Sequence, residues 1–278
     1  KQEKEKIEEK RLVDEPIDEE KVKAMEAIEE KEREEELQRE KEAGLTFKEK
    51  RALRNEEREK LARIEALENW KPKTKLGMLV RAGKIKDIDE IFEKGYKIVE
   101  PQVVDKLLPN LKNELLLLGQ SKGKFGGGKR RFWKQTQKKT SEGNVPHFSC
   151  LAIVGDQNGH IGFGVGKAKE TLPAKEKALR IAKLSLTPIK RGCGSFDCTC
   201  TEKHSIPFMI QGKRGSALIK LMPAPKGTGL VIEKECKKIL KLAGIKDIYS
   251  KTFGQSRTKM NLAGACFNSL KNALRMRE

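Results

Sequence analysis

Histidine and aromatic side chains are scarce in this chain of 278 residues. The histidines are three, His147, His160 and His204, and Phe, Trp and Tyr together make up 5%. So few imidazoles leave little for general acid–base catalysis. No Ser/His/Asp order or nucleophile elbow occurs, and no Glu stands two residues after any His, which excludes the zinc-deaminase pattern. An enzyme with a small-molecule substrate is therefore not expected. No apolar run approaches the roughly 18 residues of a membrane-spanning helix, so no membrane partner is expected. The opening KQEKEKIEEK is not a signal peptide; it starts on Lys, so a short leading segment is expected to precede it. With only 36% hydrophobic residues, the chain can build modest cores, in about two domains, but not one large core.

Cysteine is present but not in a disulfide pattern. Cys150, Cys236 and Cys266 sit singly in apolar surroundings and read as core. Cys193, Cys198 and Cys200 cluster, and no C-x-x-C occurs, so reduced thiols and no redox role are expected.

What the chain has in excess is positive charge: 60 Lys and Arg against 41 Asp and Glu, a net of +19. The excess is uneven. Residues 1–70 hold 18 basic and 24 acidic side chains; residues 71–278 hold 42 and 17, a net of +25. A body this cationic suits a polyanionic partner, and nucleic acid leads.

Residues 1–69 read as a charged helical extension with Glu–Lys and Glu–Arg pairs four apart, broken at Pro16 and Gly44. Its apolar residues hold no heptad, so it is a solvated helix or a tether rather than a coiled coil. Residues 70–118 (LGMLVRAG, IDEIFEKG, VDKLLP, LKNELLLL) read as a helical hook punctuated by Gly83, Gly95 and Pro109. Residues 119–191 read as an α/β domain with strands at 132–139, 148–154 and 160–165 and a helix from Ala168 to Leu186. The Asp156–Gly159 stretch is the hairpin turn, with Asn-Gly as its signal. The order is that of double-stranded-RNA-binding modules. Residues 192–205 are a Cys-rich connector. Residues 206–278 form a second α/β domain: strands at 206–210 and 216–221, a Gly212–Gly215 turn, a helix at 233–243, a strand near Ile248 and a helix from Lys259. In that last helix Leu262, Cys266, Leu270 and Leu274 make a buried stripe.

Four motifs bear on function. GKFGGGKRRFWKQTQKK interleaves Lys124, Lys129, Arg130, Arg131, Lys134, Lys138 and Lys139 with Gly, Phe and Trp, which suits phosphate tracking with some stacking. Gly162, Gly164, Gly166 and Lys167 resemble a phosphate cradle but fail the Walker and dinucleotide spacings. What survives is either a helix start, with Lys167 and Lys169 beside an RNA phosphate, or tight strand–helix packing. Gly212–Gly215 reads as a turn presenting Lys213 and Arg214. Finally, Cys193, Cys198, Cys200 and His204 are spaced C-x4-C-x-C-x3-H. Three thiolates and an imidazole fit structural zinc, and in a strand Cys198 and Cys200 would point the same way. The spacing departs from common zinc modules, and a Gly/Cys-rich turn with incidental thiols is the alternative. A metal here is expected to clamp the joint between the two domains.

The segments WKPKTKLGMLVRAGKIKDIDEIF, AIVGDQNGHIGFGVGKAKE, AKLSLTPIKRGCGSFDC, LMPAPKGTGLV and LAGIKDIYSKTFGQSRTKMNLAGACFNSL resemble the universal small-subunit ribosomal protein five family, on its archaeal–eukaryotic branch and its archaeal side. The resemblance spans about residues 69–275. It implies a double-stranded-RNA-binding-like α/β domain followed by a second α/β domain, and no enzyme activity. It also implies a cytoplasmic, ribosome-bound protein on small-subunit ribosomal RNA. That site is near the messenger entrance and decoding region, beside ribosomal proteins three, four and eight, with influence on decoding accuracy and messenger unwinding. RNA contact is implied for Lys167, Lys169, Lys190 and Arg191; Lys226 of PAPKG and Arg257 of FGQSRT complete the candidate set. The family's basic tip before the second strand is replaced here by Gly143, Asn144 and Val145, and Lys129, Arg130 and Arg131 are expected to supply the charge instead. The acidic 1–69 arm lies outside the family pattern. An extra-ribosomal regulator that binds double-stranded RNA is the alternative from another class.

Overall fold

The structure is a computed structural model that describes residue 65 and residues 67–120, 130–200 and 202–275. The expected helical extension, Lys124 and Lys129 lie outside the described residues or almost wholly so. Residues 69–275 belong to one compact unit.

Three short helices form the hook: α1 (Lys75–Arg81), α2 (Asp89–Glu93) and α3 (Pro101–Leu107). Thr74 caps α1 by accepting from Gly77 N at 3.1 Å, and Pro101 opens α3 where its missing N–H is harmless. Glu100 ties the hook to its own start, accepting from Trp70 Nε1 (2.8 Å), Lys73 N (2.9 Å) and Thr74 N (2.7 Å). Burial opposes charge on this carboxyl, but those donors outweigh it and hold its pKa below the usual range.

The hook ends differently from expectation. Within LKNELLLL, residues Lys112–Leu115 form strand β1, antiparallel to β3, with Leu115 opposite Ala152. The helix preference of leucine is worth only tenths of a kcal/mol per residue. The sheet edge and the burial of Leu116 outweigh it.

The first sheet adds β2 (Trp133–Thr140), β3 (Gly143–Gly155), β4 (His160–Ala168) and β5 (Thr187–Pro188), in the order β1-β3-β4-β5, with β2 also on β3. Successive β3 residues serve two cores. Cys150, Ala152 and Val154 face helix α4 (Thr171–Leu184) and the hook; Leu151 and Ile153 face the second half of the chain. Both faces are covered, so β3 reads as a continuous apolar run rather than an alternation.

The glycine motif is a packing device. Gly162, Gly164 and Gly166 of β4 lie under Ala182, Ala178 and Ala174 of α4; a Cβ on each would meet that alanine's carbonyl oxygen at 2.1, 2.1 and 2.2 Å. β4 runs on to Ala168 and α4 starts only at Thr171, so Lys167 and Lys169 precede the helix instead of occupying its first turn.

The second sheet has the order β6-β7-β9-β8: β6 (Ile210–Arg214), β7 (Ala217–Pro223), β8 (Leu230–Val231) and β9 (Ile248–Phe253), with β8 parallel to β9 and the rest antiparallel. Helices α5 (Lys234–Leu242) and α6 (Lys259–Arg275) complete this half, α6 lying along β6 and β7. The expected turn shifts: Gly212, Lys213 and Arg214 are in β6, and the bend falls at Gly215 (φ +59°). Gly212 is required there because α6 lies on it, with Ala265 O 2.2 Å from a would-be Cβ. On α6, Leu262, Cys266 and Leu270 are buried as the stripe predicts, while Leu274, in the last turn, is only half-buried. Cys236 of α5 meets Cys266, and that contact, with burial, pushes the Cys236 thiol well above its ordinary range, so it packs as a neutral group.

His160 joins the hook to the first sheet. Its Nδ1 lies 2.6 Å from Asp156 Oδ2 and its Nε2 2.8 Å from Asp89 Oδ1, with the ring stacked on Phe92. Burial works against a charged imidazole, but the Asp156 and Asp89 hydrogen bonds win and raise its pKa; burial likewise opposes the Asp156 charge, and its bonds to His160 and Asn158 lower its pKa. The stabilisation is therefore whole between the ordinary carboxylate and imidazole values. It fades as pH rises through the raised value of His160, and as pH falls through the lowered value of Asp156. His160→Gln should remove about 1–3 kcal/mol near pH 6 and flatten the decline above about pH 7, read from urea midpoints across pH. Parallel curves for both proteins would refute the ion pair.

Candidate nucleic-acid interface and metal centre

The β2–β3 hairpin outruns its sheet. β4 pairs with β3 only from Phe148 onward, while β2 follows β3 to Gly143. The end of the hairpin is thus a two-stranded arm, and residues 134–144 are all exposed. Such a ribbon holds little stability alone and has no apolar face to bury. Its charges are Lys134, Lys138 and Lys139 against Glu142. The base is stiffened by Trp133, edge-on to Phe148 at 5.2 Å, with the Arg131 guanidinium 4.5 Å over the indole. Arg130 is exposed beside it. Lys167 and Lys169 are exposed at the arm's root, where Lys167 pairs with Ser149.

The other candidate cations divide. Lys190, Lys213 and Arg257 are on the surface. Arg191 donates to the carbonyls of Gln157 (3.3 Å) and Asn158 (2.5 Å), holding the β3–β4 turn. Arg214 lies 5.4 Å over the Phe163 ring. Lys226 pairs with Glu202 at 2.6 Å. Sequence reasoning missed a basin of about 890 Å³ where Arg191, Lys203, Lys237, Lys241 and Lys246 converge with Glu202. These cations come from separate segments and share no motif.

The Cys-rich connector does bring its four residues together. The donor atoms of Cys193, Cys198, Cys200 and His204 all lie within 4.8 Å of one another; Cys198 Sγ is 3.0 Å from Cys200 Sγ and 3.7 Å from His204 Nε2. Bonds of about 2.0–2.3 Å to one tetrahedral ion require donor separations of roughly 3.3–3.8 Å, so small shifts suffice. The segment is a loop, not a strand; its neck is closed by paired backbone bonds between Gly192 and Ser205, both 2.9 Å. The thiol bond between Cys198 and Cys200 splits their titration, holding Cys198 down to about 6 and pushing Cys200 up to about 11. Outside the motif stands a partner the sequence did not suggest: buried Asp247, whose Oδ2 is 2.9 Å from His204 Nδ1.

Among the described residues no helix is long and apolar enough to cross a membrane. The described residues form an α+β body with two sheets and a projecting cationic arm, in a chain of net charge +19. Residues 133–190 match the family model for "Ribosomal protein S5, N-terminal domain", and residues 212–278 that for "Ribosomal protein S5, C-terminal domain". The chain belongs to the ribosomal protein S5 family. It is 48% identical over 211 residues to the small ribosomal subunit protein uS5 of Nanoarchaeum equitans, covering 76% of this chain and 90% of that protein. It is 47% identical over 203 residues to the uS5 of Pyrobaculum islandicum (73% and 93%), and 43% over 209 residues to that of Sulfolobus acidocaldarius (75% and 91%).

Proposed function

We propose that this chain is a structural constituent of the small ribosomal subunit in the cytoplasm and binds ribosomal RNA there through its cationic arm and the surface around it. One observation carries the reading: in a member of this family, the two-stranded arm projects with three lysines, one acid and no apolar face. A ribbon of that kind is best ordered by a polyanion laid against it. The β2-β3-β4-α4 order supports a double-stranded-RNA-binding-like reading of the first half. The same reading puts it near the messenger entrance and decoding region, beside ribosomal proteins three, four and eight; its support is the family resemblance.

The same reading gives Cys193, Cys198, Cys200 and His204 a structural zinc ion. Its support is the convergence of four donors of suitable type from one loop with a closed neck.

Sucrose-gradient sedimentation of a lysate tests the ribosomal assignment. Roughly one copy per small subunit, retained through a high-salt wash, is the expected result. A chain found only in light fractions would overturn it.

A further inference from the structure

We infer that Asp247 makes the metal centre a lock on the loop between β7 and β8, so that the ion orders Lys226 and the rim of the basic basin. The inference rests on the zinc reading above and adds to it a positioning residue and a consequence at a distance.

The connection can be traced atom by atom. His204 is 2% exposed. Its Nε2 faces the thiols, and its Nδ1 meets Asp247 Oδ2 at 2.9 Å. An imidazole that donates Nδ1–H to a carboxylate presents the lone pair of Nε2, the form that a metal takes. The second oxygen of Asp247 is also committed. Oδ1 accepts from Gly227 N at 3.1 Å and from Gly229 N at 2.8 Å. Both glycines have positive φ, +94° and +74°, so the loop holds a shape that few other residues would adopt. Asp247 thus spans the ligand and the loop with its two oxygens.

Neighbouring bonds reinforce the same joint. His204 O accepts from Lys246 N (2.8 Å) and Asp247 N (3.2 Å), and Ser205 Oγ donates to Asp247 O at 2.6 Å. The amide of Ala224, at the other end of the loop, points to Ser205 Oγ at 3.4 Å. An ion on the four ligands would fix the connector, His204 through Nε2, and Asp247 through His204. Lys203 and Lys246 flank this chain of bonds, and Lys226 rides on the loop it holds. The placement of Lys203 and Lys246 at the basin, and of Lys226 against the basin residue Glu202, is then a property of the metal-loaded protein. Removing the ion frees the imidazole to turn, and Asp247 keeps the glycine amides without a fixed partner behind it.

The full-length protein, purified with zinc, tests this with three readings: zinc per chain by elemental analysis, zinc affinity by chelator competition, and hydrogen exchange of the amides at 224–231. One zinc per chain is expected. Chelation should speed exchange at 224–231 by about tenfold or more, while the β3 amides of Leu151–Val154 stay unchanged. Asp247→Asn should bind zinc about 10–100-fold more weakly and show the fast loop even when loaded. Cys198→Ser should match the chelated wild type. Should Asp247→Asn fail to fold, chelation of the wild type still decides. Zinc present with exchange at 224–231 indifferent to chelation would overturn the lock and leave the zinc reading standing. No zinc in the wild type would overturn both.

Discussion

Gly164→Ala should destabilise the protein by about 3 kcal/mol, at the upper end of what overpacking ordinarily does. The added Cβ would stand 2.1 Å from Ala178 O, 2.3 Å from Ala182 N and 2.9 Å from Ala182 Cα. All three are backbone atoms of one helix, so no side chain can rotate away. The strand and helix must part, and they are held together on both sides of the site by Gly162 and Gly166, which make equally close approaches. Helix α4 is also tied to the hook by Lys183 and Asp105 at 2.7 Å. For a unit of about 200 residues, 3 kcal/mol lowers Tm by about 6–12 °C. Leu172→Ala, on the same helix at a residue 63% exposed, should stay within about 0.5 kcal/mol. Ala178→Gly should not rescue Gly164→Ala, because the obstacle is a carbonyl and not a methyl group. A loss below about 1 kcal/mol in urea denaturation would mean that the helix does not lie this close.

That motif also marks the limit of reading by sequence. Gly-x-Gly-x-Gly beside a basic residue is consistent with a phosphate loop or with a groove for a helix. The deciding fact is the Ala174, Ala178, Ala182 series at spacing four, which brings three small residues over three glycines two apart. Both series are visible in the sequence, but their register is a tertiary fact. The Asn-Gly turn and the α6 stripe were legible because each is marked by residues within a few positions of one another. Strand β1 was not, since its partner lies some forty residues on and leucine-rich segments suit helices as well. The four Cys and His side chains of the connector were legible as a chemical set, whereas Asp247, 43 residues after His204, carries no local mark at all. The basin cations were hidden for the same reason: Lys203, Lys237 and Lys246 read singly as solvated surface charge.

Replacing Lys134, Lys138 and Lys139 together by Gln should weaken binding of the free protein to a small-subunit ribosomal RNA transcript by about 100-fold near 0.1 M salt. Each phosphate neutralised releases condensed counterions, so the slope of log affinity against log salt should shrink by roughly 0.7–0.9 per lysine, about 2–3 in all. The fold should be untouched. All three side chains are exposed, and none makes an ion pair among the described residues. Glutamine keeps the length and polarity that the strand accepts. Lys84→Gln with Lys86→Gln, two exposed hook residues, supplies the comparison, and its slope should change by less than one. Filter binding or fluorescence titration at four or five salt concentrations yields both numbers. An unchanged slope in the triple variant would move the RNA contact off the arm, and the basin lined by Lys203, Lys237, Lys241 and Lys246 would become the surface to alter next. A lower affinity with an unchanged slope would instead point to lost shape or stacking, because only a change in the number of neutralised phosphates moves the salt term.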